Sequence, residues 1–213
     1  MRVLPCLCQD KRSKLAVYIG YGTGGGRNEA AHEALVSALA TGCRHIDCAP
    51  RYRNQRELNI PRALARTGLA REKLHVTSKL WSTCHAPNIV RDACLRTLDE
   101  LGLAALDLYL LHSPVALKFT GGLRDKLDVF VPRDETTGHV LLDPSNPTLA
   151  QTWRAMVALR EEGLVKEIGV SNFSLAQIDE MMAGGTLPKP WCNQIELHPY
   201  LPQHALVAGL QVS

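Results

Sequence analysis

Three stretches of the chain share one pattern: HIDCAPRYRNQ (45–55), HVTSKLW (75–81) and LDLYLLHSP (106–114). Each begins with a short apolar run and ends on polar residues, as a buried parallel strand does when it presents a side chain at its C-terminal end. The polar residues supplied in this way are Asp47, Tyr52, Lys79 and His112. Because parallel strands end at the same edge of a sheet, the pattern predicts a proton-transfer site there.

Strand-like and helix-like segments alternate along the rest of the chain. The expected strands are LAVYIG (15–20), CRHIDCA (43–49), LHVTSKL (74–80), LDLYLLH (106–112), EIGV (167–170) and CNQIEL (192–197). Helical periodicity lies between them, with Asn28 as the expected cap of the first helix and Pro61 as the point where the second is kinked or restarts. Repeated units of this kind predict an α/β fold with a parallel sheet and right-handed crossovers.

The segment 115–147 is too long for an ordinary connection, and it is rich in Gly, Pro and Asp. A segment of this kind is either a functional loop or a disordered one. Its position directly after His112 favours a loop that contacts the substrate.

The composition limits the class of protein. The chain has 213 residues, of which 46% are hydrophobic, and we expect one domain over residues 1–213. The net charge is +3 with both signs interspersed, and no apolar run reaches the ~18 residues that span a bilayer. These features argue against nucleic-acid and membrane partners and favour a cytoplasmic protein.

The seven cysteines are an odd number without a C-x-x-C pair, so we expect free thiols and no metal site.

An alternative fold has its own signal in the sequence. The stretch Gly20–Gly25 has the spacing G-x-G-x-x-G after an apolar strand, and Asp47 follows about 20 residues later. This is the dinucleotide fingerprint of a doubly wound dehydrogenase. Three features count against it: glycine-rich turns are common before helices, the fingerprint does not need Tyr52, and polar residues end the third to sixth strands rather than lining one crevice.

The four polar residues have a chemistry of their own. A tyrosine, with an ordinary pKa of ~10, donates a proton poorly at neutral pH unless a neighbouring cation stabilises its phenolate. Lys79 would supply that cation, Asp47 would hold the lysine in place, and His112 would orient a substrate oxygen. Taken singly, each residue also has an ordinary structural explanation, as a helix cap, a surface side chain or a turn residue. Their positions at the ends of consecutive strands favour the catalytic interpretation.

Long segments of the chain, in the same order, resemble the aldo-keto reductases and in particular their aldose-reductase-like branch. The resemblance extends from Gly20 to about Gln203. Its motifs are GYGT, CRHIDCAPRYRNQ, TSKLWSTCHAP, LGLAALDLYLLHSPVALK, TWRAMVALREEGLVKEIGVSNFS and CNQIELHPYLPQ. It implies a (β/α)8 TIM barrel that binds NADPH without a Rossmann fold, and it implies the reduction of aldehydes and ketones to alcohols.

The same resemblance implies a role for each matched residue. Tyr52 is the expected proton donor, and Lys79 and Asp47 are expected to lower its pKa. His112 is expected to position a small carbonyl substrate in a pocket lined by Trp81 and Ser113. The residues expected to contact the cofactor are Thr23, Asp47, Ser171, Asn172 and Gln194.

The chain departs from the family pattern around the pocket. Ser113 follows the catalytic histidine where a large aromatic is usual, and Gly24 occupies a position where an aromatic is frequent. After Asn54 the family usually has Glu and then a Val-Gly pair, whereas this chain has Gln55 and a segment broken by Pro61. We expect a roomier and more polar pocket, and the sequence leaves the identity of the carbonyl substrate open.

The family barrel has eight β-α units, and about six precede Ser213 in this sequence. The resemblance places in the last two units an aromatic that stacks on nicotinamide and the contacts to the adenosine 2′-phosphate, so the preference for NADPH over NADH is implied by the family alone. We expect a C-terminally truncated barrel with two open strand edges, whose full-length relatives are monomeric. The alternative is an inactive fragment that acts, if at all, by association with other chains.

Overall fold

The computed structural model of the protein describes residues 3–7, 17–119, 130–145 and 147–212. Within these ranges one sheet contains the strands β1 (Val3–Leu7), β2 (Val17–Gly22), β3 (His45–Asp47), β4 (His75–Leu80), β5 (Leu106–Leu111), β6 (Val165–Ser171) and β7 (Asn193–Gln194). The helices are α1 (Asn28–Ala40), α2 (Gln55–Leu58), α3 (Ile60–Thr67), α4 (Pro87–Leu101), α5 (Leu149–Glu161), α6 (Leu175–Met182) and α7 (His204–Val212).

The strands lie in the sheet in the order in which they occur in the chain, from β1 to β7. From β2 onward each strand pairs in parallel with the next, and helices lie on the connections. A doubly wound sheet reverses its strand order where the dinucleotide binds. Because the described chain has no such reversal, the doubly wound alternative drawn from Gly20–Gly25 is wrong.

β2 to β7 correspond to the six strands expected from the sequence, although residues 15 and 16 of the first expected strand lie outside the described residues. β1 was not expected. It pairs antiparallel with β2, with Val3 opposite Tyr21 and Leu7 opposite Val17. Sequence periodicity did not find it because five residues with one short apolar run give no clear alternation.

Two helix boundaries test the local sequence signals. The restart expected at Pro61 is confirmed, because α2 ends at Leu58, Asn59 has a left-handed φ of 43°, and α3 begins at Ile60 with its proline in the first turn. The expected capping role of Asn28 is wrong. α1 begins there without a side-chain cap, and the Asn28 N–H instead donates to Glu57 Oε2 at 2.7 Å.

The core lies between the sheet and its helices. Every residue of β5 is buried, as in a parallel strand covered on both faces. Apolar residues of the helices pack on the sheet at helical spacing, and the buried ones include Leu35 and Leu39 of α1, Val90, Cys94, Leu98 and Leu101 of α4, and Trp153 and Met156 of α5. No helix among the described residues has the length and apolar character needed to cross a membrane. One domain over residues 1–213 stays a prediction.

Asp107 joins three neighbouring strands near the N-terminal end of β5. Its carboxylate accepts from the Val76 N–H of β4 at 2.9 Å, from Arg71 at 2.7 Å and from Lys166 of β6 at 2.7 Å. Burial works to raise the pKa of Asp107, but the bonds from Lys166, Val76 and Arg71 outweigh it and hold the pKa below its ordinary value. The carboxylate therefore contributes to stability in its ionised form.

Asp107→Asn should lower the free energy of unfolding by about 1–3 kcal/mol at neutral pH, because it removes the buried carboxylate that accepts charge-assisted hydrogen bonds from Arg71 and Lys166. Since the folded-state pKa is depressed, this contribution is present above the unfolded pKa and is lost as the pH falls through the folded pKa. Urea unfolding curves of wild type and variant should therefore converge below about pH 4. Asp92→Asn removes an exposed carboxylate of α4 and is the control. A difference that persists in acid would contradict the prediction.

Candidate active site

The C-terminal ends of the parallel strands meet at one edge of the sheet, and the residues singled out from the sequence lie at or just beyond them. The positions are Thr23 after β2, Asp47 in β3, Lys79 in β4, Trp81 and His112 just after β4 and β5, Ser171 in β6, Asn172 after it and Gln194 in β7. Tyr52 ends a short 3₁₀ turn, Pro50–Tyr52, that follows β3. The predicted gathering of polar groups is therefore present in the structure.

Lys79 lies at the centre of the site and is only 1% exposed. The register pairs Asp47 with Thr77, and Lys79, two residues further along β4, points to the same face as Thr77. Its Nζ donates to Asp47 Oδ1 at 2.5 Å, to the Cys48 carbonyl at 3.0 Å and to the Tyr52 hydroxyl at 3.3 Å. An ammonium has three N–H groups, so every donor of Lys79 is occupied and its charge is held beside the phenol.

The ionisation of this group follows from its burial and its neighbours. Burial works to lower the pKa of Lys79, but Asp47 and Tyr52 outweigh it, and the pKa lies above its ordinary value. Burial raises the pKa of Tyr52, Lys79 lowers it and Asp47 raises it, with a net result above the ordinary value. The expectation that both Lys79 and Asp47 lower the pKa of Tyr52 therefore holds for Lys79 and is wrong for Asp47. A carboxylate disfavours a second negative charge nearby, so Asp47 assists only by keeping Lys79 charged.

His112 provides a neutral ring beside the phenol. Burial, together with the positive charges of Lys79 and Arg51, lowers the pKa of His112 to about 3. The imidazole is therefore uncharged at neutral pH. Its ring lies edge-to-face with that of Trp81, at 5.0 Å between centroids, and with that of Tyr52, at 6.4 Å. A neutral imidazole in this position can donate one hydrogen bond without giving up a proton to water.

Three of the residues expected to contact a cofactor lie together at the ends of β6 and β7. Ser171 Oγ donates to the Gln194 carbonyl at 2.9 Å, and Asn172 Nδ2 donates to Ser171 Oγ at 3.1 Å and to the His112 carbonyl at 2.8 Å. Asn172 has a φ of 63°, in the left-handed region that asparagine tolerates better than most residues. This backbone turn directs its amide toward His112, just beyond the end of β5.

Thr23 lies on the opposite side of the site and is held there by hydrogen bonds to a backbone carbonyl. Its N–H and its hydroxyl both donate to the Asp47 carbonyl, at 3.0 and 3.1 Å. The buried Asn54 donates to the carbonyls of Thr23 and Gly26, at 2.7 and 2.9 Å. Asp47 Oδ2 is buried and has no hydrogen-bond partner among the described residues. An acceptor left in this way fits a hydroxyl donor from a bound ligand.

The loop that follows β5 returns to the site at Phe130. The indole N–H of Trp81 donates to the Phe130 carbonyl at 2.6 Å, and the two rings are 6.0 Å apart. The Arg51 guanidinium lies 5.9 Å from the Trp81 ring centre and 5.6 Å from that of Phe130. Residues 120–129 and 146 of the predicted substrate loop lie outside the described residues. The described part of the loop contacts the site, and its role in binding a substrate stays a prediction.

Two of the departures from the family pattern, Gly24 and Ser113, lie close to Tyr52 and His112. A Cβ on Gly24 would lie 3.4 Å from a ring carbon of Tyr52, so no side chain covers the phenol at this position. Ser113 is half-buried, and its Oγ accepts from the Val115 N–H at 3.1 Å. Its hydroxyl therefore helps to form its own turn and is only partly available to a ligand.

Sequence reasoning missed Arg51, Phe130 and Asn54 as parts of this site. The signal for Asn54 was weak, because a buried asparagine that bonds two carbonyls looks like any loop residue in the sequence. Phe130 is an aromatic within the otherwise irregular segment 115–147. A large aromatic in a segment of this kind indicates that the loop packs on another part of the protein.

Comparison with known proteins decides the family. The family model described as Aldo/keto reductase family matches residues 18–211. The chain belongs to the aldo/keto reductase family. "Aldo-keto reductase family 1 member A1-A" of Danio rerio is 41% identical over 193 residues, which cover 89% of this chain and 56% of that protein. A "D/L-glyceraldehyde reductase" of Hypocrea jecorina is 42% identical over 193 residues, with 89% and 55% covered.

Solved structures of aldo/keto reductases confirm the fold class. An aldose reductase from Schistosoma japonicum superposes with a TM-score of 0.85 at 38% identity, covering 98% of this chain and 65% of that one. An aldose reductase from Giardia Lamblia gives 0.80 at 39% identity, covering 91% and 61%. The parallel strands β2 to β7 are thus part of a (β/α)8 barrel. The chain spans just over half the length of the curated relatives named above, and the roles of single residues stay predictions.

Lys79→Met should raise the pKa of Tyr52 further, because methionine keeps an apolar stem and removes the cation that lowers this pKa. Ultraviolet titration of tyrosinate measures the effect, and Tyr52→Phe identifies which transition belongs to Tyr52. Tyr200 is 96% exposed, and Tyr200→Phe should leave the Tyr52 transition in place. A Tyr52 pKa that falls or does not change in Lys79→Met would show that the lysine does not stabilise the phenolate.

Proposed function

We propose that this chain carries the active site of an NADPH-dependent carbonyl reductase, which converts aldehydes and ketones to alcohols. The observation that carries the proposal is the buried, fully bonded Lys79 beside the Tyr52 hydroxyl, with the neutral His112 ring next to it. A phenol that accepts a bond from an ammonium keeps its own O–H free to donate. The phenolate left after donation is stabilised by the same ammonium.

Each residue then has one task in the reaction. When bound, a reduced nicotinamide supplies the hydride. His112 donates a hydrogen bond to the carbonyl oxygen and holds it near Tyr52. The Tyr52 hydroxyl gives its proton to that oxygen as negative charge develops on it, and Lys79 lowers the free energy of the phenolate that remains. Asp47 keeps Lys79 protonated in a buried position.

The residues that would hold the cofactor offer groups of the right kind. The unpartnered Oδ2 of Asp47 is an acceptor for a ribose hydroxyl. The side-chain amide of Gln194 offers donors and an acceptor, which suits a carboxamide. Asn172 offers its Oδ1 as an acceptor, because both of its N–H groups already donate within the chain, and Ser171 and Thr23 complete the set. NADPH rather than NADH is proposed from the family resemblance, because no described residue is assigned to a 2′-phosphate.

The relatives support reductase chemistry in general terms, since their names are those of aldo-keto, aldose and glyceraldehyde reductases. The second candidate is an inactive chain that acts, if at all, by association with other chains. Titration of the purified chain with NADPH, followed by nicotinamide fluorescence, separates the two. A cytoplasmic location is part of the reductase proposal, and cell fractionation tests it.

Tyr52→Phe should lower kcat by about 10²–10⁴-fold, the usual contribution of a positioned general acid, and should leave the Kd for NADPH nearly unchanged. The assay is NADPH oxidation with a panel of aldehydes. Tyr200→Phe is the matched control, because it removes the hydroxyl of an exposed tyrosine. Activity that survives Tyr52→Phe would overturn the role of Tyr52, and a wild-type chain that does not bind NADPH would favour the second candidate.

Ser113→Trp should shift the preference toward small apolar aldehydes. The indole would add an apolar wall beside His112 and would fill space that the serine leaves, so bulky or hydroxylated carbonyl compounds should lose more kcat/KM than small ones. Matched pairs of substrates that differ only in hydroxylation measure this. Ser113→Ala is the control for loss of the hydroxyl, which is already bonded to the Val115 N–H. An unchanged ratio in Ser113→Trp would contradict the prediction.

A further inference from the structure

A second cluster of ligating groups lies on α1, outside the active site described above. Glu29, His32 and Glu33 each contribute one ligating atom, and these atoms all lie within 4.8 Å of one another. Residues three and four apart on a helix share a face, so Glu29 can meet both of the others. The spacing Glu-x-x-His is the one that di-metal carboxylate proteins use to place a carboxylate and an imidazole on the same metal.

His32 is prepared as a ligand by its own surroundings. It is 0% exposed, and its Nδ1 bonds to the Leu58 carbonyl at 2.8 Å. A carbonyl can only accept, so Nδ1 carries the hydrogen, and Nε2 is the ring nitrogen whose lone pair can bind a metal. Nε2 is buried and has no partner in the part of the chain that the structure describes. Metal-binding histidines are held in the same way, by a bond from the other ring nitrogen to a carbonyl or a carboxylate.

The two carboxylates can turn to a cation at low cost. Glu29 accepts from Arg62, and Glu33 from Arg66, both of α3. The four side chains are between 39% and 61% exposed, and ion pairs that exposed contribute little to stability. Each carboxylate oxygen also has two lone pairs, so the arginines can remain as outer partners when a metal binds.

We propose that Glu29, His32 and Glu33 bind a divalent first-row transition metal, with Zn²⁺ as the expected ion. One imidazole nitrogen and two carboxylate oxygens suit Zn²⁺ or Co²⁺ better than Mg²⁺, which prefers oxygen ligands alone. Bonds of about 2.0–2.2 Å require the ligand atoms to approach one another, and the exposed glutamate side chains can make that movement. A water molecule takes the remaining position.

This site departs from the sequence prediction of no metal site, which looked for a cysteine pair completed by a second pair or by a histidine cluster. Its effect is on structure rather than on the reaction. The bond from His32 to Leu58 connects α1 to the end of α2, and the arginine partners connect it to α3. A bound ion should therefore stabilise the packing of α1 on α2 and α3.

Isothermal titration with Zn²⁺ tests the site in the purified chain. One ion per chain should bind to wild type, and Glu29→Gln/Glu33→Gln should weaken binding by at least the ~10–100-fold that loss of an outer partner typically costs. Glu162→Gln is the matched control, because it removes the glutamate of another exposed pair, Arg91–Glu162 at 2.8 Å, without a neighbouring imidazole. Its affinity for Zn²⁺ should equal that of wild type.

Cobalt absorption identifies the ligands. Co²⁺ bound by nitrogen and oxygen gives weak visible bands, whereas thiolate ligands add strong charge-transfer absorption in the near ultraviolet. His32→Gln should remove the visible bands. If this buried substitution unfolds the chain, the Glu29→Gln/Glu33→Gln variant replaces it in the test, because it changes only exposed side chains. The absence of saturable binding, equal binding by the double variant, or a thiolate signature would each overturn the proposal.

Discussion

The buried charge of Lys79 is the constraint on which the rest of the site depends. An ammonium at 1% exposure is tolerated only if each of its hydrogens meets an acceptor. Those acceptors are a carboxylate of β3, a carbonyl just after it and a phenol from the following turn. All three are within reach only in the register that pairs β3 with β4. Loss of one partner of a buried pair costs about 3–5 kcal/mol, against a total stability of about 5–15 kcal/mol.

Burial and the charge of Lys79 together hold the neighbouring ionisable groups in different protonation states. Lys79 is held positive by Asp47, Tyr52 remains a phenol because burial raises its pKa, and His112 is kept neutral by burial and by nearby cations. Groups whose pKa values are pushed apart in this way can take different parts in one proton transfer. The arrangement needs no shift of Tyr52 below its ordinary pKa, because Lys79 acts on the phenolate only when the proton leaves.

Much of this could be predicted from the sequence, and the failures have physical reasons. An apolar run that ends on a polar residue identifies a parallel strand and its functional end, which is why Asp47, Lys79 and His112 were found. The cap at Asn28 failed because its N–H meets a glutamate 29 residues away, a contact that the local sequence does not show. The sign of the effect of Asp47 on Tyr52 follows from charge alone, because a carboxylate disfavours a phenolate nearby. β1 was not predicted because its short sequence shows no clear alternation. The cluster of Glu29, His32 and Glu33 was overlooked because the sequence does not show that His32 Nδ1 bonds to the Leu58 carbonyl and leaves Nε2 without a partner among the described residues.

The thiol of Cys48 can report local opening of the site through its reactivity. Its carbonyl accepts from Lys79, its side chain is fully buried, and burial raises the pKa of its thiol to about 12. A thiol in this state resists alkylation, because only the thiolate attacks and no reagent reaches it. Modification of Cys48 must therefore wait for a local opening of the segment around Lys79. The rate at which the Cys48 thiol is alkylated therefore measures how often the segment around Lys79 opens.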